Sequence, residues 1–167
     1  MVEASARDTL QPALLDRLTD NDPSRKVESR DERVVSRAQL RASVLRDLAW
    51  LFNTTSLAAE VDLKAYPLVE RSILNFGLAP LSGKLVSGLE LSKLEATLKE
   101  AILRFEPRIL PHTLSVQGVL PSDPVGHHNS LSFEIKGELW CHPYPIDLLL
   151  KTDMDLESGE VRIEDGH

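Results

Sequence analysis

One cysteine and a few histidines are the side chains best suited to catalysis or metal binding in this chain. Cys141, the only cysteine, is followed directly by His142, but neighbours on a strand point to opposite sides, which keeps the base away from the thiol. His112 stands alone, and we interpret His127 and His128, in PSDPVGHHNS, as solvated loop residues. No His-x3-His or Cys-x2-Cys spacing supports a metal site. The sequence therefore predicts no catalytic residue, no metal ligand and no cofactor.

Paired carboxylates are a second route to catalysis, because the chain has 26 acidic residues. Cleavage of a glycoside needs two carboxyl groups roughly 5–10 Å apart, one of them kept protonated by apolar surroundings. The acidic residues here fall mostly on the polar side of periodic segments, where they stay solvated and ionised. The pattern therefore disfavours a glycoside hydrolase.

Opposite charges flank a rigid proline in the segment Glu106-Pro107-Arg108. Arg108 can bind a carboxylate through two parallel hydrogen bonds, so the segment is a candidate partner-binding site. Alternatively, Arg108 holds Glu106 or a main-chain carbonyl and clamps the turn. The sequence leaves both interpretations open.

The composition predicts a folded domain without affinity for nucleic acid. The chain has 167 residues, 42% apolar and 27% charged, which suffices for one domain with a sizeable core. Its 19 basic and 26 acidic residues give a net charge of −7, which disfavours binding to phosphate backbones. We expect no signal peptide in MVEASARDTL and no membrane insertion, because the apolar runs are short. A cytoplasmic location is the corresponding prediction.

The first part of the chain is predicted to lie outside the domain. Residues 1–35 are expected to be a docking peptide and a flexible linker, and residues 36–167 a single domain. Leu14, Leu15 and Leu18 form the apolar cluster of the peptide and are candidate partner-binding residues. The same peptide could equally pack against its own domain.

Charge is distributed unevenly along the chain. Residues 24–46 carry seven basic and three acidic side chains, whereas residues 131–167 carry nine acidic and three basic ones. This asymmetry indicates either surfaces for different partners or ordinary solvated faces.

Start and stop signals predict two helices in the first half of the domain. Ser36 and Gln39 form a capping box ahead of an apolar stripe of helical period. A second helix is expected to begin at Pro67. Ile73 should lie on its buried stripe, and Gly77 should end it.

A third helix is predicted before the Glu-Pro-Arg segment. Its start is a second capping box, Ser92 with Glu95, and its end is set by Pro107. Glu100 and Arg104 form a favourable pair one turn apart on its exposed side.

The second half of the chain changes to a period of two, which is typical of half-buried strands. Strands are expected around residues 114–116, over 131–139 and over 146–156, and a turn at 157–160 leads into a short strand at 161–163. Helices followed by antiparallel strands define an α+β fold, with N-terminal helices packed on a C-terminal antiparallel sheet. The terminal strand is a candidate open edge for strand addition.

Five segments in this order resemble the TssE family of type VI secretion baseplate subunits, to which the wedge protein of T-even phages is related. They are the leading peptide PALLDRLTDNDP, the helices SVLRDLAWLFNT and SILNFGL, the Glu-Pro-Arg signature in FEPRIL, and, as the fifth, the sheet segment LSFEIKGELW followed by the acidic hairpin DLESGEVRI. The resemblance runs over nearly the whole chain.

The resemblance implies a structural role without catalysis. It implies that Glu106, Pro107 and Arg108 bind the helical core bundle of the baseplate wedge, at the cytoplasmic face of the inner membrane. It also implies that the sheet, which resembles the strand-exchange domain of sheath subunits, receives strands from the first contractile sheath ring. Two alternatives are a peptidoglycan hydrolase, suggested by the family's lysozyme-like label, and an adaptor that uses the same fold.

Overall fold

The computed structural model describes residues 13–19, 24, 35–80, 88–119 and 130–166. Most of the predicted linker, together with His127 and His128, lies outside the described residues. In the described part, helices precede an antiparallel sheet, which confirms the α+β fold. The helices are α1 (Leu14–Leu18), α2 (Arg37–Phe52), α3 (Pro67–Glu70) and α4 (Gly88–Phe105), and the strands are β1 (Ser115–Val119), β2 (Ser130–Leu139), β3 (Ile146–Asp155) and β4 (Val161–Asp165).

α2 begins at the predicted capping box. The Ser36 hydroxyl accepts a hydrogen bond from Gln39 N–H at 3.2 Å, and the Gln39 side chain accepts one from Ser36 N–H at 2.9 Å. Both bonds satisfy amides that the first turn would otherwise leave unpaired. The helix buries one stripe against the sheet, formed by Leu40, Val44, Leu48, Leu51 and Phe52.

The predicted second helix is much shorter than expected. α3 has only four residues, and a separate 3-10 helix, Ile73–Asn75, follows it. The hydroxyl of Ser72 caps this new start by accepting from Leu74 N–H at 3.2 Å, because serine competes for main-chain groups and favours a helix start over a helix interior. Ile73 is consequently 83% exposed, and its predicted place on a buried stripe is wrong.

Gly77 has the positive φ that the sequence predicted, at 118°. A Cβ atom there would lie 2.3 Å from the carbonyl oxygen of Thr54. Glycine is therefore needed for the close approach that lets Leu78 N–H donate to Thr54 O at 2.8 Å.

α4 begins at Gly88, four residues before the expected capping box. Ser92 therefore lies inside the helix and the predicted box is wrong. Glu95 instead accepts a hydrogen bond from Gly118 N–H of β1 at 2.7 Å. The Glu100–Arg104 pair is confirmed at 2.6 Å, and the helix ends at Phe105, before the proline.

The four strands form one sheet in the order β1-β2-β3-β4, and every neighbouring pair is antiparallel. The predicted turn is present, with φ of 76° at Gly159. One face of the sheet packs against α2 and α4, and the core between these layers includes Val44, Leu48, Ile102, Phe133 and Ile135.

Candidate functional site

The Glu-Pro-Arg segment joins the end of α4 to the sheet. Glu106 N–H donates to Ile102 O at 2.8 Å and so closes the last turn of the helix. Two residues later, Arg108 O accepts from Trp140 N–H at 2.7 Å, just after β2. The segment is therefore fixed at both ends by main-chain hydrogen bonds.

Arg108 binds three side chains of its own chain. Its Nε donates to Glu106 Oε1 at 2.7 Å, and Nη2 donates to Asp47 Oδ2 at 2.6 Å. Nη1 donates to the hydroxyl of Ser43 at 3.0 Å. The fork of Arg108 thus clamps the turn and fastens it to α2, where Ser43 and Asp47 lie one turn apart.

Burial makes this clamp more than a surface ion pair. Glu106 is only 3% exposed, although the side chain of Arg108 retains 23% exposure. Burial acts to lower the pKa of Arg108, but its hydrogen bonds to and attraction by Glu106 and Asp47 outweigh burial and raise the pKa above the ordinary value. The guanidinium therefore stays charged and compensates the buried carboxylate.

The clamp continues across α2 to the leading peptide as a series of alternating charges. Arg46 Nε donates to Asp47 Oδ1 at 2.9 Å, and Arg46 Nη1 ion-pairs with Asp16 of α1. The hydrogen bond that Arg46 donates to the Asp16 carboxylate is the main cause that raises the pKa of Arg46. We call Glu106, Arg108, Asp47, Arg46 and Asp16 the charge ladder; it connects the two candidate sites that the sequence treated separately.

α1 lies on its own domain through this ladder, but it directs its leucines outwards. None of its five residues is buried. Leu14 is 70% exposed, Leu15 43% and Leu18 74%. Trp50, which is 50% exposed, lies beneath the same Arg46, with 5.1 Å between the guanidinium carbon and the ring centroid. The helix and Trp50 therefore both present exposed apolar surface next to Arg46.

A second apolar surface was not predicted. Tyr66, Leu68, Ile73 and Leu74, in and around α3, are 61–84% exposed. The short length of α3 and the cap at Ser72 turn these side chains outwards. The sequence pattern predicted one longer helix with Ile73 on its buried stripe, so it gave no indication of this surface.

The two charged segments meet within the chain. Arg41 of the basic segment forms two hydrogen bonds of 2.6 Å with Asp165 of the acidic one. Together with the pairing of Arg46, this contact shows that part of the charge asymmetry is used inside the domain.

The side chains first considered for chemistry are not arranged for it in the described residues. Cys141 is buried and its Sγ lies 3.6 Å from the main-chain oxygen of His142. A cleft of about 210 Å³ near the end of α2 has no ionisable side chain in its lining. No three histidine, cysteine or acidic residues among those described lie close enough together to hold a metal ion. None of the described helices combines the length and apolarity required to cross a bilayer.

Comparison with protein families gives one match that bears on this site. The family model described as baseplate wedge protein gp25 matches residues 38–144, well over half of the chain. The match includes α2 except its first residue, and the Glu-Pro-Arg segment, but α1, β3 and β4 lie outside it. A search of curated proteins gave no match.

Proposed function

Because the chain belongs to the family of the baseplate wedge protein gp25, we propose that it is a structural subunit of a type VI secretion baseplate. The matched family is the one that includes TssE, so the resemblance noted in the sequence is confirmed. Family membership gives the chain a structural role in a phage-tail-like baseplate. The proposal adds that it binds the core bundle of the wedge, helps to dock the first contractile sheath ring, and works at the cytoplasmic face of the inner membrane.

The rigidity of the Glu-Pro-Arg segment supports its proposed role at the core bundle. Glu106 is buried and acts as the anchor, whereas Pro107 is exposed and Arg108 is half-buried. Pro107 and the 23% of the Arg108 side chain that is exposed are therefore the parts that can contact a partner. A surface held rigidly before binding loses little conformational freedom when the complex forms.

The exposed leucines of α1 support a second contact with helical baseplate subunits. Helix-in-groove recognition uses apolar side chains on one face of a helix, at spacings of three and four residues. Leu14, Leu15 and Leu18 have this spacing, and the Asp16–Arg46 pair leaves them accessible. In the proposed complex they enter an apolar groove of the core bundle.

Co-purification from the source bacterium tests this function. The tagged chain should recover baseplate wedge subunits and sheath subunits. Leu14→Ser with Leu18→Ser should lower the recovery of wedge subunits at least tenfold, because two exposed anchors are lost. Leu68→Ser with Ile73→Ser is the matched control, since these side chains are 84% and 83% exposed. Recovery of neither set by the unmodified chain would reject the proposal.

The two alternative functions are tested separately. A peptidoglycan hydrolase would release soluble sugar fragments from purified cell wall, and we expect none above the buffer control. The buried, ion-paired state of Glu106 supports this expectation, because a general acid must reach the glycosidic oxygen. An adaptor would co-purify with a single partner and without the wedge and sheath subunits.

A further inference from the structure

β4 has one side that no described strand covers, because it is the last strand of the sheet. Two hydrogen bonds identify which main-chain groups face that side. Asp155 N–H donates to Glu160 O, and Gly166 N–H donates to Leu149 O, both at 2.9 Å. Residues 160 and 166 therefore face β3, and the even-numbered positions between them do the same. The outward groups of β4 belong to Val161, Ile163 and Asp165.

Asn53 occupies the first outward position. Its Nδ2 donates to Val161 O at 2.8 Å, and its Oδ1 accepts from Val161 N–H at 2.9 Å. A side-chain amide offers one donor and one acceptor to this residue, as the facing main chain of an added strand would. Nδ2 also donates to Ala49 O at 2.8 Å, which fixes the amide to the last turn of α2.

Arg41, twelve residues earlier near the start of α2, occupies the other end of the same edge. Its Nη1 donates to Asp147 O at 2.7 Å, beyond the last pair that β3 forms with β4. The same guanidinium binds the carboxylate of Asp165 at 2.6 Å. Between these two ends lies Ile163, whose outward main-chain groups pair with no residue that the structure describes.

We propose that Asn53 and Arg41, at the two ends of α2, protect the β4 edge; we call these two side chains the fence. They block the two ends of the edge and leave room only for a short extended segment of a partner, centred on Ile163. The part that concerns a sheath strand rests on the function proposed above. In the isolated chain the fence has a second effect: it prevents two copies from pairing along the whole of β4, which a fully open edge would allow. The partner that fits is an extended segment that pairs with Ile163 and turns away from the edge before Val161, where Asn53 occupies the main-chain groups.

The opposite edge of the sheet is covered differently, which favours β4 as the receiving edge. On β1, Gly118 N–H is bound by Glu95 of α4. A Cβ atom at Gly118 would lie 2.7 Å from the side chain of Leu91 on the same helix. A strand added at β1 would have to displace helix packing, whereas at the β4 edge the described residues that stand in the way are the side chains of Asn53 and Arg41.

Amide hydrogen exchange of the full chain, measured by NMR, tests the fence. Asn53→Ala should speed exchange at Val161 roughly threefold to tenfold, because one hydrogen bond is lost. The amide of Arg162, which faces β3, should not change. Thr54→Ala is the matched control, because the Thr54 hydroxyl donates to Trp50 O at 2.7 Å at the same end of α2 and does not bind β4, so Val161 should stay protected. Asn53 and Thr54 are both exposed, so both variants should fold. An unchanged Val161 rate in Asn53→Ala would overturn the proposal.

Light scattering on concentrated samples tests whether the fence blocks pairing. The fraction of dimer should be higher for Asn53→Ala than for the unmodified chain, and addition of Ile163→Pro should reverse the increase. No increase with Asn53→Ala would contradict the blocking role. Both measurements use the chain alone, so they can succeed even where sheath docking fails, and the two proposals are distinguishable.

Discussion

Arg108 stabilises a carboxylate that would otherwise be buried without compensation. Glu106 is 3% exposed and receives hydrogen bonds from both the guanidinium and the main-chain N–H of Arg108. Because Asp47 and Ser43 bind the outer nitrogens, the same side chain also fixes the distance between α4 and α2. Its structural role is therefore established by contacts, and its role towards a partner stays a prediction.

Arg108→Ala should lower the free energy of unfolding by about 3 kcal/mol, because it leaves Glu106 buried without its ion pair. Arg108→Lys should cost less, since it keeps the charge but not the fork. Arg162→Ala is the surface control, because the side chain of Arg162 is 77% exposed, and its effect should stay within about 0.5 kcal/mol. Urea denaturation measures all three. If Arg108→Ala and Arg162→Ala unfold at the same urea concentration, the clamp contributes nothing to stability.

Asp155 should make stability depend on pH in the acid range. Its carboxylate accepts the main-chain N–H groups of Ser158 and Glu157, and these hydrogen bonds lower its pKa below the ordinary 3.8. Because the pKa is lower in the folded state, the ionised carboxylate stabilises the fold at any pH above the ordinary pKa. This contribution is lost as the pH falls through the folded-state pKa.

The corresponding variant is Asp155→Ala. Its melting temperature should be below that of the unmodified chain near neutral pH, and the difference should shrink as both are acidified through that pKa. Glu164→Ala is the control for loss of one acidic charge from the neighbouring strand. A difference that stays constant down to acid pH would contradict the assigned hydrogen bonds.

At the scale of elements, α2 organises the molecule. Its apolar stripe packs against the sheet. Its polar residues Arg46 and Asp47 contact α1 and the Glu-Pro-Arg segment, and Asn53, which caps its C-terminal end, contacts the β4 edge. The start of this helix could be predicted because a capping box and a helical period agree. The pairings of its polar side chains could not, because their partners lie far away in sequence and are set by tertiary packing.

The prediction was poorer where local signals compete. At Pro67 the start was right, but Ser72 began a new turn within the expected helix. At Ser92 a capping pattern occurred inside a helix that already had its start at Gly88. A capping pattern marks a helix start only where the preceding residues leave the helix, and the sequence pattern alone does not decide this.

Removal of residues 1–35 should leave the domain folded. α1 buries no residue, and its described ion pair to the domain joins Asp16 to Arg46. A partly exposed ion pair contributes about 0–1 kcal/mol, which corresponds to a change in melting temperature of about 4 °C or less for a domain of this size. Differential scanning calorimetry of the truncated and full chains measures the change. A much larger drop would mean that the leading segment stabilises the domain by more than the Asp16–Arg46 ion pair.

At the scale of the whole molecule, the family could be recognised from the order of five short segments, and the fold from the change of hydrophobic period. The geometry that places the interaction surfaces on this fold could not be predicted from the sequence. The charge ladder brings α1 next to the Glu-Pro-Arg segment, and Arg41 brings the basic segment to the acidic end of the sheet. These are long-range contacts, and they place the proposed core-bundle surface on the α2 side of the domain.

The proposed docking of a sheath strand makes a prediction for proline substitutions in β4. Arg162 faces β3, so Arg162→Pro should remove a ladder hydrogen bond and destabilise the fold by about 1–3 kcal/mol. The main-chain groups of Ile163 face outwards, so Ile163→Pro should leave the hydrogen bonds between β3 and β4 intact while removing the N–H that an added strand needs. Ile163→Ala keeps that N–H and controls for the loss of a partly buried side chain. Thermal unfolding and recovery of sheath subunits should be measured for all three. We expect Ile163→Pro to fold and lose sheath recovery, whereas Ile163→Ala retains most of it. If alanine and proline at position 163 reduce recovery equally, the contact is made by the side chain, and strand addition at this edge is wrong.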